Sequence, residues 1–133
     1  MEFKSNEAIY LQIADYISER ILLNKWATDE KIPSVREMAG ILEVNPNTVM
    51  RSYEQLQQAE IIYNKRGLGF FVSKKATRNI KKNQQAKFMD HELPQLFKNM
   101  YLLDISIEEI TNKYKSYLED KIRSNTSANE NEQ

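Results

Sequence analysis

Apolar residues recur along this chain first at helical spacing, then at strand spacing, then at helical spacing again. Between Asn6 and Leu23, the residues Tyr10, Ile13, Ala14, Ile17 and Ile21 make one stripe and predict a first helix. Leu22, Leu23 and Trp26 extend the burial into "NKWATDEK", and a short extended piece, "KIP", follows. Ser34 and Glu37 stand as S-x-x-E behind Pro33, the spacing at which each side chain satisfies the other's free backbone N–H at a helix start. Val35, Met38, Ala39 and Leu42 form the stripe of this short second helix, and "LEVNPN" ends it.

A third helix opens on Asn45 as N-cap, with Pro46 in the first helical position, where its missing N–H costs nothing. Val49, Tyr53, Leu56 and Ala59 share one face, while Asn47, Thr48, Arg51 and Gln55 share the opposite one. The helix is thus anchored by its apolar side and offers polar groups at its N-terminal mouth. After Glu60 the period changes. "IIYN" and "GFFVS" are β-branched and aromatic runs that predict a hairpin with its tip at Lys65 to Leu68, where Gly67 and Gly69 supply backbone freedom.

From Ala76 to Leu103 a helical pattern returns, with Met89, Leu93, Leu96, Phe97, Met100 and Leu103 along one side. Pro94 should kink or divide it. A second S-x-x-E, Ser106 to Glu109, starts a last helix carrying Ile107, Ile110, Tyr114, Tyr117, Leu118 and Ile122. The tail "SNTSANENEQ" has no apolar residue larger than Ala and is expected to be disordered. The division read from these patterns is 1–74, 75–123 and a tail 124–133.

The 133 residues, 41% hydrophobic and 29% charged, suit one ordinary domain or a small domain with an appendage. No apolar run approaches the ~20 residues of a membrane span, so no membrane partner is expected. The start, "MEFKSNEAIY", has neither the basic nor the apolar region of a secretory signal. With no cysteine, disulfides and thiolate metal sites are excluded, and a cytoplasmic location is expected. His91, the sole histidine, makes no metal site by itself, and no sequence feature calls for a cofactor.

Net charge is zero, which at first disfavours a polyanionic partner. The distribution reverses that reading. Ile61 to Met89 contains no acidic residue but holds Lys65, Arg66, Lys74, Lys75, Arg78, Lys81, Lys82 and Lys87, a local field that nucleic acid would feel. Catalytic motifs are missing: there is no G-x-x-x-x-G-K, no H-E-x-x-H and no G-x-S-x-G. No catalytic residue is expected.

Two helices joined by a short turn, the second with a polar mouth, followed by a hairpin with a basic tip, is the order of a winged helix-turn-helix. The expected fold is mainly α with a small β-hairpin wing, followed by a two-helix C-terminal segment. In that geometry the second helix enters the major groove N-terminus first. Asn can pair bidentately with adenine, Arg with guanine, and a Thr methyl can touch a thymine methyl. Asn47, Thr48 and Arg51 have these chemistries on one face, and Arg36, Lys65 and Arg66 supply a cationic flank for phosphates.

The run from "IYLQI" through "IPSVREMA" and "VNPNTVMRSYEQL" to "RGLGFFV" resembles the DNA-binding domain of GntR-family bacterial transcription regulators, and within them the YtrA subfamily. The likeness spans Ile9 to Ser73. It implies operator contacts from Ser34, Arg36, Asn47, Thr48 and Arg51, with Asn45 beside them, and from the wing around Lys65, Arg66 and Gly67. It further implies a regulator, a repressor by family habit, acting as a homodimer on a near-palindromic double-stranded operator. Many family members have Ser-Arg where this chain has Asn45-Pro46, so their base preference does not transfer. The family's frequent Gly after the reading helix is Glu60 here, and its usual Pro-Gly turn is Thr28-Asp29.

After the wing only a short helical segment follows, and two helices cannot enclose a typical ligand pocket of ~300–1,000 Å³. The YtrA resemblance assigns that segment to dimerisation, through Leu93, Leu96, Phe97, Met100, Leu103, Ile110 and Tyr114. No motif identifies a small-molecule effector. A-form RNA disfavours a reading helix, while a winged helix that binds protein instead of DNA stays open as an alternative.

Overall fold

The computed structural model describes residues 1–131. It runs α1 (Ile9–Leu22), α2 (Val35–Leu42), α3 (Pro46–Gln58), β1 (Ile62–Lys65), β2 (Gly69–Val72), α4 (Ala76–Lys87), a π-helical turn (Phe88–Glu92), α5 (Leu93–Leu103) and α6 (Ile107–Asn131). This is the expected mainly helical architecture with a two-stranded antiparallel wing.

The chain divides into two compact units, Met1–Ala86 and Lys87–Gln133. In the first, Ile13, Ile17, Val49, Tyr53, Leu56, Ile62 and Val72 form one buried core with Met38 and Ile32. α1 begins later than Asn6, because the Gln12 side chain holds the preceding segment in a turn. Its amide donates to the Lys4 and Glu7 carbonyls at 2.9 and 2.8 Å and accepts from the Lys4 N–H at 2.8 Å. Leu22 and Trp26 are half-buried as the pattern suggested, but Leu23 faces outward at the α1 C-cap.

The capping box at α2 is complete. The Ser34 hydroxyl accepts from the Glu37 N–H at 3.1 Å, and the Glu37 carboxylate accepts from the Ser34 N–H at 3.1 Å. At Ser106 only the hydroxyl half forms, from the Glu109 N–H at 3.1 Å. The "KIP" piece does more than connect. Lys31 bridges Phe71, the Ile32 N–H donates to the Phe70 carbonyl at 3.0 Å, and the Val72 N–H donates to the Glu30 carbonyl at 3.0 Å. This segment therefore pairs with β2 from the side opposite β1 and leaves β1 as the edge.

α4 belongs to the first unit, so the boundary falls after Ala86 and not after residue 74. Ala76 and Ile80 are each 1% exposed in that core. The Asn79 amide donates to the Ala59 and Glu60 carbonyls at 3.1 and 3.3 Å, covering the end of α3. Two small anchors in an otherwise lysine-rich helix are a weak periodic signal, which is why the charge pattern alone misplaced this helix.

Pro94 does divide the helix, but without leaving helical conformation: the wider π turn of Phe88–Glu92 precedes α5, whose first turn holds the proline. The tail was expected to lack structure, yet α6 continues through residues 124–131. No Gly or Pro interrupts the chain from Ile107 onward, so nothing ends the helix there. The rest of the tail, 132–133, lies outside the described residues. No helix among the described residues is long and apolar enough to cross a membrane.

In the second unit α5 and α6 make too little contact to cover one another, and α5 buries no residue. Leu96, Phe97, Tyr101, Leu102, Leu103, Ile107, Tyr114 and Ile122 are all exposed. Leu93, Met100 and Ile110 are half-buried.

Candidate nucleic-acid interface

The helix α3 is fixed from three directions. Its inner face buries Val49, Tyr53 and Leu56. The Tyr53 hydroxyl donates to the Pro33 carbonyl at 2.6 Å, and its ring meets Phe70 edge-on at 5.0 Å. One side chain thus ties α3 to Pro33, just before the α2 N-cap, and to the wing. Burial pushes the Tyr53 phenol well above its ordinary range, with the Glu37 carboxylate adding to the shift. It therefore stays a neutral donor. Behind the helix, the Ser52 hydroxyl donates to the Tyr10 carbonyl of α1 at 2.6 Å.

With the inner face held, the outer face is free to work. Asn45 caps α3, its side-chain oxygen accepting from the Asn47 N–H at 2.8 Å. That bond commits the oxygen of Asn45 to the helix and leaves its amide N–H groups facing solvent. Asn47 and Arg51 are exposed and Thr48 is half-exposed. These three line one open depression of about 400 Å³ together with Ala8, the α1 N-cap, and Ile9 and Tyr10 of α1. The three base-reading candidates are therefore brought together, and α1 joins them. The Arg51 guanidinium lies 4.1 Å from the centroid of the Tyr10 ring.

Ser34 and Arg36 lie at the start of α2, outside that depression. Ser34 is held by the capping box and Arg36 is exposed. The Ser34 backbone N–H first, then its hydroxyl and the nearby Lys31 charge, hold the Glu37 carboxyl below its ordinary range. Glu37 is thus occupied locally and leaves Arg36 available for another anion.

The wing carries the second basic group. β1 and β2 pair in register from Ile62 with Val72 to Lys65 with Gly69. The turn closes with the Leu68 N–H donating to the Lys65 carbonyl at 2.9 Å, and Gly67 has φ +79°. Lys65, Arg66 and Gly67 are exposed at the tip. The Lys65 ammonium lies 5.1 Å from the Phe71 ring and 5.9 Å from Tyr63, whose rings stack at 5.6 Å. Tyr63 is in turn tied to Asp29, donating to its carboxylate at 2.9 Å. Burial first, then that carboxylate, pushes the Tyr63 phenol up.

Periodicity puts Tyr10 on the apolar stripe of α1, and Phe71 belongs to the aromatic run of the hairpin. Both are only half-buried, and each supports a cation of the interface. The sequence signal that could have found them is slight: an aromatic at the first turn of α1, and, in the wing, Tyr63 two residues before Lys65 with Phe71 in the facing run.

A family model described as bacterial regulatory proteins, gntR family, matches residues 9–72. The HTH-type transcriptional regulator YhcF of Bacillus subtilis (strain 168) is 36% identical over 118 residues, covering 89% of this chain and 96% of its own length. The chain belongs to the GntR family. The HTH-type transcriptional repressor YtrA of the same organism is 31% identical over 107 residues, covering 80% of this chain and 82% of its own. A GntR-family regulator from Bacteroides thetaiotaomicron, known as a crystal structure, superimposes with a TM-score of 0.74 at 47% identity, covering 86% of this chain and 99% of that one. With these relatives the chain is a helix-turn-helix transcriptional regulator and not an enzyme, and its winged helix is the GntR DNA-binding fold.

Proposed function

We propose that this GntR protein is a cytoplasmic repressor that occupies a near-palindromic operator as a homodimer. The observation that carries the DNA reading is the polarity of α3: one face fully buried, the other presenting Asn47, Thr48 and Arg51 together at its N-terminal end. Asn47 and Arg51 hydrogen-bond base edges in the major groove and Thr48 adds methyl contact. Ser34, Arg36 and the Asn45 amide hold the flanking backbone, and Lys65, Arg66 and the Gly67 N–H do so from the wing. The unit Met1–Ala86 is the DNA-binding domain in this reading.

The second unit makes the dimer. Each large apolar side chain left in water forgoes roughly 1.5–3 kcal/mol of burial, and α5 and α6 leave at least eight exposed within one chain. Leu93, Leu96, Phe97, Met100, Leu103, Ile110 and Tyr114 provide a self-complementary surface for a two-fold partner. A two-fold dimer presents two reading helices to two half-sites, which favours a palindromic target. The repressor sign is supported by the similarity to the repressor YtrA, since steric occupation of a promoter needs no further domain.

Selection of bound fragments from random and genomic DNA, followed by fluorescence anisotropy across a salt series, tests the whole reading. The expected outcome is a palindromic consensus with affinity falling steeply as salt rises. Absence of any enriched sequence would favour a winged helix that docks on protein instead.

A further inference from the structure

Arg51 does not extend freely from α3. Its guanidinium carbon lies 4.1 Å from the centroid of the Tyr10 ring, inside the distance at which an aromatic face attracts a cation. A guanidinium is planar and carries all its N–H donors on its edges. A guanidinium lying flat over the ring would use one face and leave those edges free, and edges are what bidentate pairing with guanine uses. The contact is therefore compatible with base reading and places the guanidinium over the ring.

The backbone that carries the ring is itself held. The Ser52 hydroxyl, fully buried, donates to the Tyr10 carbonyl at 2.6 Å, with the Thr48 carbonyl also within 3.2 Å. Ser52 follows Arg51 directly in α3, so the platform and the residue it supports are joined across the same helix–helix seam. Tyr10 also lines the depression that Asn47, Thr48 and Arg51 share. The wing offers a contrast. Lys65 lies further from its two rings, at 5.1 and 5.9 Å, and an ammonium is a point charge with no plane to orient.

We infer that Tyr10 is the positioning residue for Arg51, setting the orientation from which the guanidinium meets a base edge and so contributing to sequence preference without touching DNA chemistry itself. This rests on Arg51 reading a base. Ordering the long arginine side chain before binding removes part of the rotamer entropy that the complex would otherwise lose. The benefit is directional, so it falls on the cognate duplex and not on random DNA.

The test uses the full chain, the duplex that wild-type protein enriches from random DNA, and a scrambled duplex of equal length. Tyr10→Leu is expected to lower the cognate-to-scrambled affinity ratio about three- to fivefold, the size of an exposed cation–π contact. Tyr10→Phe keeps the ring and is expected to keep the ratio. In an Arg51→Ala background, Tyr10→Leu should have no further effect on the ratio. Equal losses in the Phe and Leu variants would assign the effect to the hydroxyl, a Leu effect that persists without Arg51 would assign it to packing, and either would overturn the inference. A ratio that falls in Arg51→Ala but not in Tyr10→Leu overturns this inference alone, whereas an unchanged ratio in Arg51→Ala removes the base-reading role and the inference together. The Arg51 Nε–H resonance of the unbound wild-type protein adds a readout that needs no variant to fold. Ring current from Tyr10 should move it upfield of the other arginines, and an unshifted resonance would also overturn the contact.

Discussion

The Tyr53 hydroxyl donates to the Pro33 carbonyl at 2.6 Å, joining the middle of α3 to the residue that precedes the α2 N-cap Ser34. Ser34 follows Pro33 at once and Arg36 lies two positions further on, so this bond holds the start of α2 against α3, the two elements to which the proposal gives phosphate and base-edge contacts. Tyr53→Phe keeps the ring and its edge-on contact with Phe70 but leaves the carbonyl without its donor. The expected loss of folding stability is about 1–2 kcal/mol, read as a lower urea midpoint with an unchanged slope. An unaltered midpoint would mean that water replaces the hydroxyl at no cost.

Glu60 occupies the left-handed region with φ +58° just after α3, at the position where the family frequently has Gly. A non-glycine residue there carries a cost of roughly 1–2 kcal/mol. Glycine removes that strain but adds unfolded-state freedom of about 0.4–1 kcal/mol. Glu60→Gly should therefore stabilise the domain by about 0.5–1 kcal/mol. The Asn79 amide, which holds the Ala59 and Glu60 carbonyls, is expected to keep that end of the helix in place in the variant. A lower melting temperature in Glu60→Gly would show that the carboxylate does something in the fold that outweighs the strain.

The capping box at α2 has a pH signature. The Glu37 carboxyl is held below its ordinary range, chiefly by the Ser34 N–H. A carboxyl lowered on folding contributes stability that is complete above its unfolded value and is lost as pH falls through its folded value. Glu37→Gln can accept the same Ser34 N–H but does not titrate. The difference in melting temperature between wild type and Glu37→Gln should therefore favour wild type near neutrality and shrink as pH falls below about 4. A difference that is constant from neutral to acid pH would rule out this coupling.

Arg51 and Lys65 should separate base reading from phosphate holding. Arg51→Ala is expected to cost ~1–3 kcal/mol on cognate DNA and to relax sequence preference. Lys65→Ala should weaken cognate and random duplexes alike and reduce the salt slope by about one. Titration of both duplexes at two salt concentrations decides between these roles. Equal effects of the two substitutions on both duplexes would sink the division.

What could be read from the sequence follows from how local each feature is. The Ser34–Glu37 box and the Asn45 cap with Pro46 are set by residues within three positions of one another, and both form as the spacing dictates. The two faces of α3 and the paired runs of the wing are likewise periodic signals. Features that depend on distant partners were not legible. The pairing of residues 29–32 with β2 uses backbone groups, which no side-chain pattern records. α4 docks through Ala76 and Ile80, helped by the Asn79 amide, a signal hidden under its lysines. Tyr10 falls on the apolar stripe of α1, and only the three-dimensional structure shows that its ring supports Arg51. At the candidate site, residue types could be named from the sequence, but the side chains that orient them could not.

The apolar surface of the second unit makes the strongest quantitative demand. Phe97 is 52% exposed and Leu103 67% exposed, on a helix that buries nothing within its own chain. If a second copy covers these side chains, a charge placed among them must be desolvated on association. Phe97→Asp and Leu103→Asp should then each shift the protein from dimer to monomer in sedimentation equilibrium at micromolar concentration. Winged-helix folding should persist, because neither residue belongs to the core of Met1–Ala86. Operator affinity should fall much more than affinity for an isolated half-site, since only the dimer gains from engaging two half-sites through one linked pair. A variant that stays dimeric would place the self-association surface elsewhere. A wild-type protein that sediments as a monomer while still selecting a palindrome would require the two copies to meet only on DNA.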